Sequence, residues 1–178
     1  MLAYLVLLLA VLSRMLPPLF HSAAMNFTAV GASLLFFGAR RPRWQAGVAV
    51  AAMMATDYLL TVYAYHFAFH VAGYLVTWCW YAGVCLLGHR LLHKVTVLRV
   101  LAGALSSATS FFLLSNFVVW IGSMYAHSWA GMIACYAAAL PFYRNDVVST
   151  CLVAVALFGL PVLLARFSRS TEPSRLPA

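Results

Sequence analysis

Acidic residues are nearly missing from this chain: Asp57, Asp146 and Glu172 are the only three among 178 residues, and charged residues of both signs make up 8% of the sequence. Soluble domains carry roughly 25% charged residues, so a surface covered by water is excluded. The four cysteines, Cys79, Cys85, Cys135 and Cys151, form no CxxC pair, which removes the common zinc and iron–sulfur frameworks. There is no GxSxG, no HExxH, no phosphate-binding glycine loop and no close pair of carboxylates. The familiar hydrolase and nucleotide-dependent arrangements are therefore absent, and an enzyme is not expected.

What the chain has is apolar length. It is 65% hydrophobic with a mean hydropathy of +0.94. Apolar runs at 2–16, 27–38, 45–62, 70–92, 97–121 and 147–165 predict an all-α integral membrane protein, with six transmembrane helices in a single domain over residues 1–167. A further apolar stretch at 128–140, ended by Pro141, is too short to span and predicts an extra short helix between helices five and six. Pro17 and Pro18 are expected to stop the first run, because proline cannot donate the helical hydrogen bond. That run has no basic residue before it, the reverse of a cleaved secretory signal. The second run is short for a span, so it must tilt, extend into its flanks or begin below the membrane surface. The segment 168–178 is polar and reads as a disordered cytoplasmic tail.

The net charge of +8 would suggest nucleic acid in a soluble protein, but here it is distributed as membrane topology requires. Arg40, Arg41 and Arg43 follow the second run, Arg90, Lys94 and Arg99 the fourth, and Arg166, Arg169 and Arg175 the last. Only Arg14 and Arg144 lie toward the other ends. The bias places both termini in the cytoplasm and makes the lipid bilayer, not nucleic acid, the partner of these charges.

Few polar residues remain inside the apolar runs. Asp57 is the one carboxylate within a run, and such a group either faces a polar cavity or pairs with a cation, Arg14 or Arg144. His66 and His70 would share one face if their segment were helical, continued by Tyr74, Thr77 and Tyr81. That face reads either as the wall of a ligand cavity or as an interfacial aromatic belt. Cys79 sits between Trp78 and Trp80 and is either a filler or a ligand. Asn116, in the unusually polar fifth run, needs amide partners at membrane depth. In Pro141-Phe142-Tyr143-Arg144-Asn145-Asp146, an Asn or Asp is expected to cap the sixth helix while Arg144 points into an outer vestibule.

This layout, with short basic inner turns and longer polar-aromatic outer connections, resembles the membrane-embedded S components of energy-coupling-factor vitamin transporters. The segments Ser13-Arg14-Met15-Leu16-Pro17-Pro18, Asn26-Phe27-Thr28-Ala29-Val30-Gly31-Ala32 and Leu140-Pro141-Phe142-Tyr143-Arg144-Asn145-Asp146 are similar to the small proteobacterial relatives of that family, including the solitary BtuM-type cobalamin proteins. The resemblance implies a bacterial inner-membrane protein that binds and transports a small nutrient, with cobalamin as the leading candidate. The loops after helices one, three and five would close over it, bringing His21 and Asn26, His66 and His70, and the stretch from Tyr125 to Arg144 to the ligand. The first helix lacks the AxxxA pattern used to dock on an energising transport module, which fits a solitary mode. The resemblance places a cobalt-binding cysteine soon after the intramembrane aspartate, where this chain has His70 and no cysteine; either Cys79 or His70 would be the axial ligand to a corrinoid metal, or the ligand is not a cobalamin. The rival expectation is a haem-binding or accessory subunit of a membrane redox complex using His66, His70 or His127. A purely structural membrane subunit is the third.

The topology is testable by itself. Single cysteines introduced in a cysteine-free background at 40–43, at 90–99 and near the C-terminus should react only with reagent applied from the cytoplasm. Those near His21, His66 and His127 should react from outside. A basic turn labelled from outside would overturn the arrangement.

Overall fold

The computed structural model describes residues 1–20 and 29–170, with side chains described for 1–15 and 29–161. Among these residues the chain is all-helical. The helices are α1 (Leu2–Phe20), α2 (Val30–Arg40), α3 (Ala46–Leu59), α4 (Val71–Leu91), α5 (Val97–Ile121) and α6 (Trp129–Ser170). A 3-10 turn at Arg43–Gln45 leads into α3, and a π-helical turn at Leu60–Ala64 ends it. Four stretches, Arg43–Ala64, Val71–Leu91, Val97–Ile121 and Trp129–Pro161, are long and apolar enough to cross a membrane. The shorter apolar helices are Leu2–Met15 and Val30–Arg40. A membrane protein is the class these lengths define.

The organising element is α2. All nine residues from Val30 to Gly38 are buried, and the helix packs against α1, α3, α4, α5 and α6. A helix of 11 residues rises only about 16 Å, roughly half of a hydrocarbon layer of about 30 Å. It therefore begins inside the bundle and emerges at the basic end, where Arg40 stacks over Phe36 and Arg41 over Tyr4. There Gln45 Oε1 accepts from Tyr4 Oη at 3.0 Å and from Arg41 Nε at 2.6 Å, tying α1, α2 and α3 together.

Close contact between α2 and α4 depends on glycine. A Cβ at Gly38 would collide with the Cys85 carbonyl, and one at Gly88 with the Leu35 carbonyl. The two backbones thus touch directly, as small residues allow in membrane bundles, where packing rather than hydrophobicity drives association.

Three expectations are corrected. The chain does not stop at Pro17-Pro18, since α1 runs on to Phe20. No separate short helix occupies 128–140; it is the beginning of α6, which continues through both Pro141 and Pro161 to Ser170. Proline costs a helix one hydrogen bond but has a helical φ, and neighbouring helices sustain the break inside a membrane bundle. Consequently Asn145 and Asp146 cap nothing: they lie in mid-helix. The third correction concerns His66 and His70. Residues 66–70 are not helical, His66 has φ 56°, and α4 begins only at Val71, so the two histidines share no helical face. The tail expected from 168 onward is helical to Ser170, and 171–178 lies outside the described residues.

Glycine replacements separate these contacts from generic helix effects. Gly38→Ala and Gly88→Ala should each lower the melting temperature of the detergent-solubilised protein, because backbone atoms must move apart. Gly47→Ala and Gly83→Ala, where an added Cβ meets nothing within 4 Å, should be neutral or stabilising by up to about 1 kcal/mol.

Candidate functional site: an ion pair and two polar cavities inside the bundle

Asp57, in the last turn of α3, has a side chain only 1% exposed and pairs with Arg14 of α1, whose Nη2 lies 2.5 Å from Oδ1. Trp78 Nε1 donates to Asp57 Oδ2 at 2.9 Å and the Tyr81 hydroxyl donates to Oδ1 at 3.3 Å, both from α4. One carboxylate thus joins three helices. An ionised carboxylate in an apolar bundle is tolerated only with this kind of pairing and hydrogen bonding.

The surroundings extend the network outward. Thr61 Oγ1 donates to the Asp57 carbonyl at 2.7 Å and lies 2.5 Å from the Tyr74 hydroxyl. The π-helical turn places Thr61 there; such insertions are frequent at functional sites. Phe69 stacks on Tyr74 with centroids 4.9 Å apart and planes 14° apart, and Tyr74 lies nearly parallel to Trp78 at 6.0 Å. The loop 65–70 is thereby anchored through Phe69 to the aromatic stack beside the ion pair.

Two cavities meet beside it. One of about 140 Å³ is lined by Arg14, Val30, Gly31, Trp80, Tyr81, Phe111 and Asp146. The other, of about 180 Å³, lies between α5 and α6, and its lining includes Asn116, Tyr125, Cys135, Tyr143 and Asp146. Phe111 and Asp146 belong to both, so the cavities abut at the α6 carboxylate. Asp146 Oδ1 accepts from Thr150 Oγ1 at 3.3 Å, and the only ion pair among the described residues is Arg14 with Asp57. Arg14 Nη1 is buried without a hydrogen-bond partner, as are the hydroxyls of Ser33 and Ser107.

The expected site residues are distributed unevenly over this arrangement. Asp57 and Tyr81 are at its centre, and Tyr74 is one bond away through Thr61. Asn116 and Tyr125 line the cavity between α5 and α6, although Asn116 Nδ2 donates to its own helix at Phe112 O, 2.7 Å away. His66 and His70 are exposed in the loop before α4. Arg144 is exposed and lines neither of these cavities. It lies two residues, or about 200° of helix, from Asp146. Of His70, Tyr74, Asn116 and Arg144, Asn116 alone lines one of these two cavities. His21 and Asn26 lie outside the described residues.

Cys79 is exposed on an apolar groove of about 580 Å³ between α4 and α5, lined by residues such as Leu75, Gly83 and Leu114. Among the described residues no group of three His, Cys, Asp or Glu is placed to hold a metal ion. His127, the third candidate haem ligand, sits in the loop before α6, with Nε2 at 2.9 Å from the Gly122 carbonyl oxygen.

Residues the sequence did not single out complete the site: Trp78, Tyr143, Gly31, Ser107 and above all Asp146. The scarcity of acids was the available signal. Only Asp57 and Asp146 precede the C-terminal tail, and both turn inward.

An all-helical membrane protein with a charged, cavity-bearing centre is the class defined by this geometry. The chain belongs to the family of unknown function DUF6580, whose model matches residues 1–173. No curated protein and no solved structure matches it.

The ion pair makes a direct prediction. Asp57→Leu or Arg14→Leu alone leaves an unpaired charge and should cost about 3–5 kcal/mol of stability, whereas the double replacement should recover much of the loss. Thermal and detergent denaturation of the four proteins measures this. Equal stability of Asp57→Leu and the parent would mean that the pair contributes nothing.

Proposed function

We propose that the protein is a membrane-embedded binding and transport protein for a small polar solute, which it holds in the bundle centre between Arg14 and Asp146. The observation that carries this reading is the pair of abutting cavities, about 140 and 180 Å³, sharing the Asp146 carboxylate, with one reaching the Arg14–Asp57 pair. Intramembrane ionisable groups facing a cavity mark solute or ion pathways. The Tyr125 end of the second cavity supplies the entry side, and α2 closes the path toward the basic end.

In this reading α1 and α2 belong to the membrane layer with the four long helices. The result is six membrane-embedded helices with both termini cytoplasmic, the layout that resembles vitamin S components. The cavity volumes favour a small solute over cobalamin, since about 150 Å³ accommodates a ligand the size of benzene. A corrinoid would require the loop 65–70 and the outer ends of α5 and α6 to move apart. The placement of His66, His70 and His127 in two exposed loops lends no support to haem ligation.

The test is a thermal-shift series on the purified protein in nanodiscs, using a panel of small polar solutes with cobalamin included. A bound solute at 100 times its Kd stabilises by about 2.7 kcal/mol, and that shift should vanish in Arg14→Gln. Proteoliposomes should then accumulate or exchange the same solute. If no small solute shifts the melting curve and none crosses the liposome membrane, the proposal is wrong.

A further inference from the structure

The first cavity is lined by two side chains of opposite formal charge. Arg14 and Asp146 both line it, yet they form no ion pair with each other. Arg14 is already committed to Asp57 through Nη2 and keeps a buried Nη1 without a partner. Asp146 receives one long hydrogen bond from Thr150. Two charges left apart across a space of about 140 Å³ are stabilised by a guest that presents the complementary charge to each.

The cationic side is reinforced by the start of α2. Ser13 Oγ accepts from Ala29 N at 3.2 Å, which seats the Ser13-Arg14 pair of α1 against the first turn of α2. Val30 and Gly31 of that turn line the cavity. Val30, Gly31 and Ala32 are the first residues of α2, which starts after Ala29. The positive end of the helix dipole is there too. A second observation points to a ligand at the same place: Arg14, which lines the cavity, has its Nη1 buried with no hydrogen-bond partner. Half-length helices that start inside a bundle present this end to anionic groups of transported solutes.

We infer, building on the solute-binding reading, that the guest is a small zwitterion of the α-amino-acid class. Its carboxylate lies between Arg14 and the first turn of α2, and its ammonium faces Asp146. The volume sets the size. A cavity of about 150 Å³ holds benzene, six non-hydrogen atoms, the number in alanine. Trp80, Tyr81 and Phe111 form the remaining wall, which gives an apolar side chain of one or two carbons somewhere to rest. A free anion would meet the Asp146 carboxylate, and a free cation would meet Arg14; only a molecule with both charges satisfies both walls.

Three related probes decide it: alanine, lactate (hydroxyl for ammonium) and 3-methylbutan-2-amine (isopropyl for carboxylate). Binding of the radiolabelled compounds to the nanodisc protein should be saturable for alanine and at least tenfold weaker for the other two. Asp146→Asn, which keeps its shape and its Thr150 bond, should weaken alanine at least tenfold and reduce its preference over lactate. Lys94→Ala, at the exposed basic end, should leave binding unchanged. Where Arg14→Gln folds poorly, Gly31→Ala, which presses on Ser107 and Thr150, serves as the second variant and should also weaken alanine. Equal binding of alanine and lactate, or insensitivity to Asp146→Asn, overturns the zwitterion assignment. If another small polar solute from the thermal-shift panel binds in an Arg14-dependent way while alanine does not, the solute-binding reading survives alone. If nothing binds, both fall.

Discussion

A carboxylate cannot remain ionised in an apolar bundle unless other groups surround it, and Asp57 recruits these from two other helices. Arg14 arrives from α1, while Trp78 and Tyr81 arrive from α4. Around that knot the rest is arranged. The start of α2 is held beside Arg14 by Ser13, the π-helical turn after α3 swings Thr61 toward Tyr74, and the loop before α4 lays Phe69 on the stack. Removing the charge would not simply delete one bond. It would release the element that fixes where four helices meet.

The pairing also explains why polar space persists in so hydrophobic a chain. A guanidinium has five donors in a rigid fork, and one carboxylate beside two other donors cannot occupy them all. The donor left over on Arg14, the unpartnered hydroxyls of Ser33 and Ser107 and the inward Asp146 keep the centre hydrophilic where packed leucines would close it. The stabilising pair and the cavity beside it thus share Arg14, so neither can be altered without touching the other.

Much of the architecture was legible because apolar length is a local property. The fifth run coincides with α5 at both ends, and α3 and α4 lie within a few residues of their expected bounds. Asp57 stood out for the same reason, as a single charge against an apolar background. What failed was punctuation and distance. Pro141 reads as a stop by rules learned from helices that water can unravel, whereas a membrane bundle lets α6 pass through it. With the helix running on, Asp146 stands in mid-helix, where a stop at Pro141 would have made it a cap. His66 and His70 would share a face only if their segment were helical, and spacing does not reveal that the chain turns with φ 56° at His66. The meeting of Arg14 with Asp57, 43 residues apart, is a tertiary fact; the sequence offered only two candidate cations.

The shortness of α2 bears on how the molecule is made. A lone helix of this length cannot span the hydrocarbon layer, and the polar backbone at its inner start would meet lipid unsatisfied. It has no stable resting place until α4, which touches it through Gly38 and Gly88, has been synthesised and α6 closes over Gly31. Helix by helix insertion, with each span settling independently before the next, is therefore unsuited to this chain. The segment after α1 must wait at the membrane surface or in the insertion machinery and enter as part of a late, collective step. The most buried helix is in this sense the last to find its environment, and lesions at Gly38 or Gly88 would be felt first as failed biogenesis.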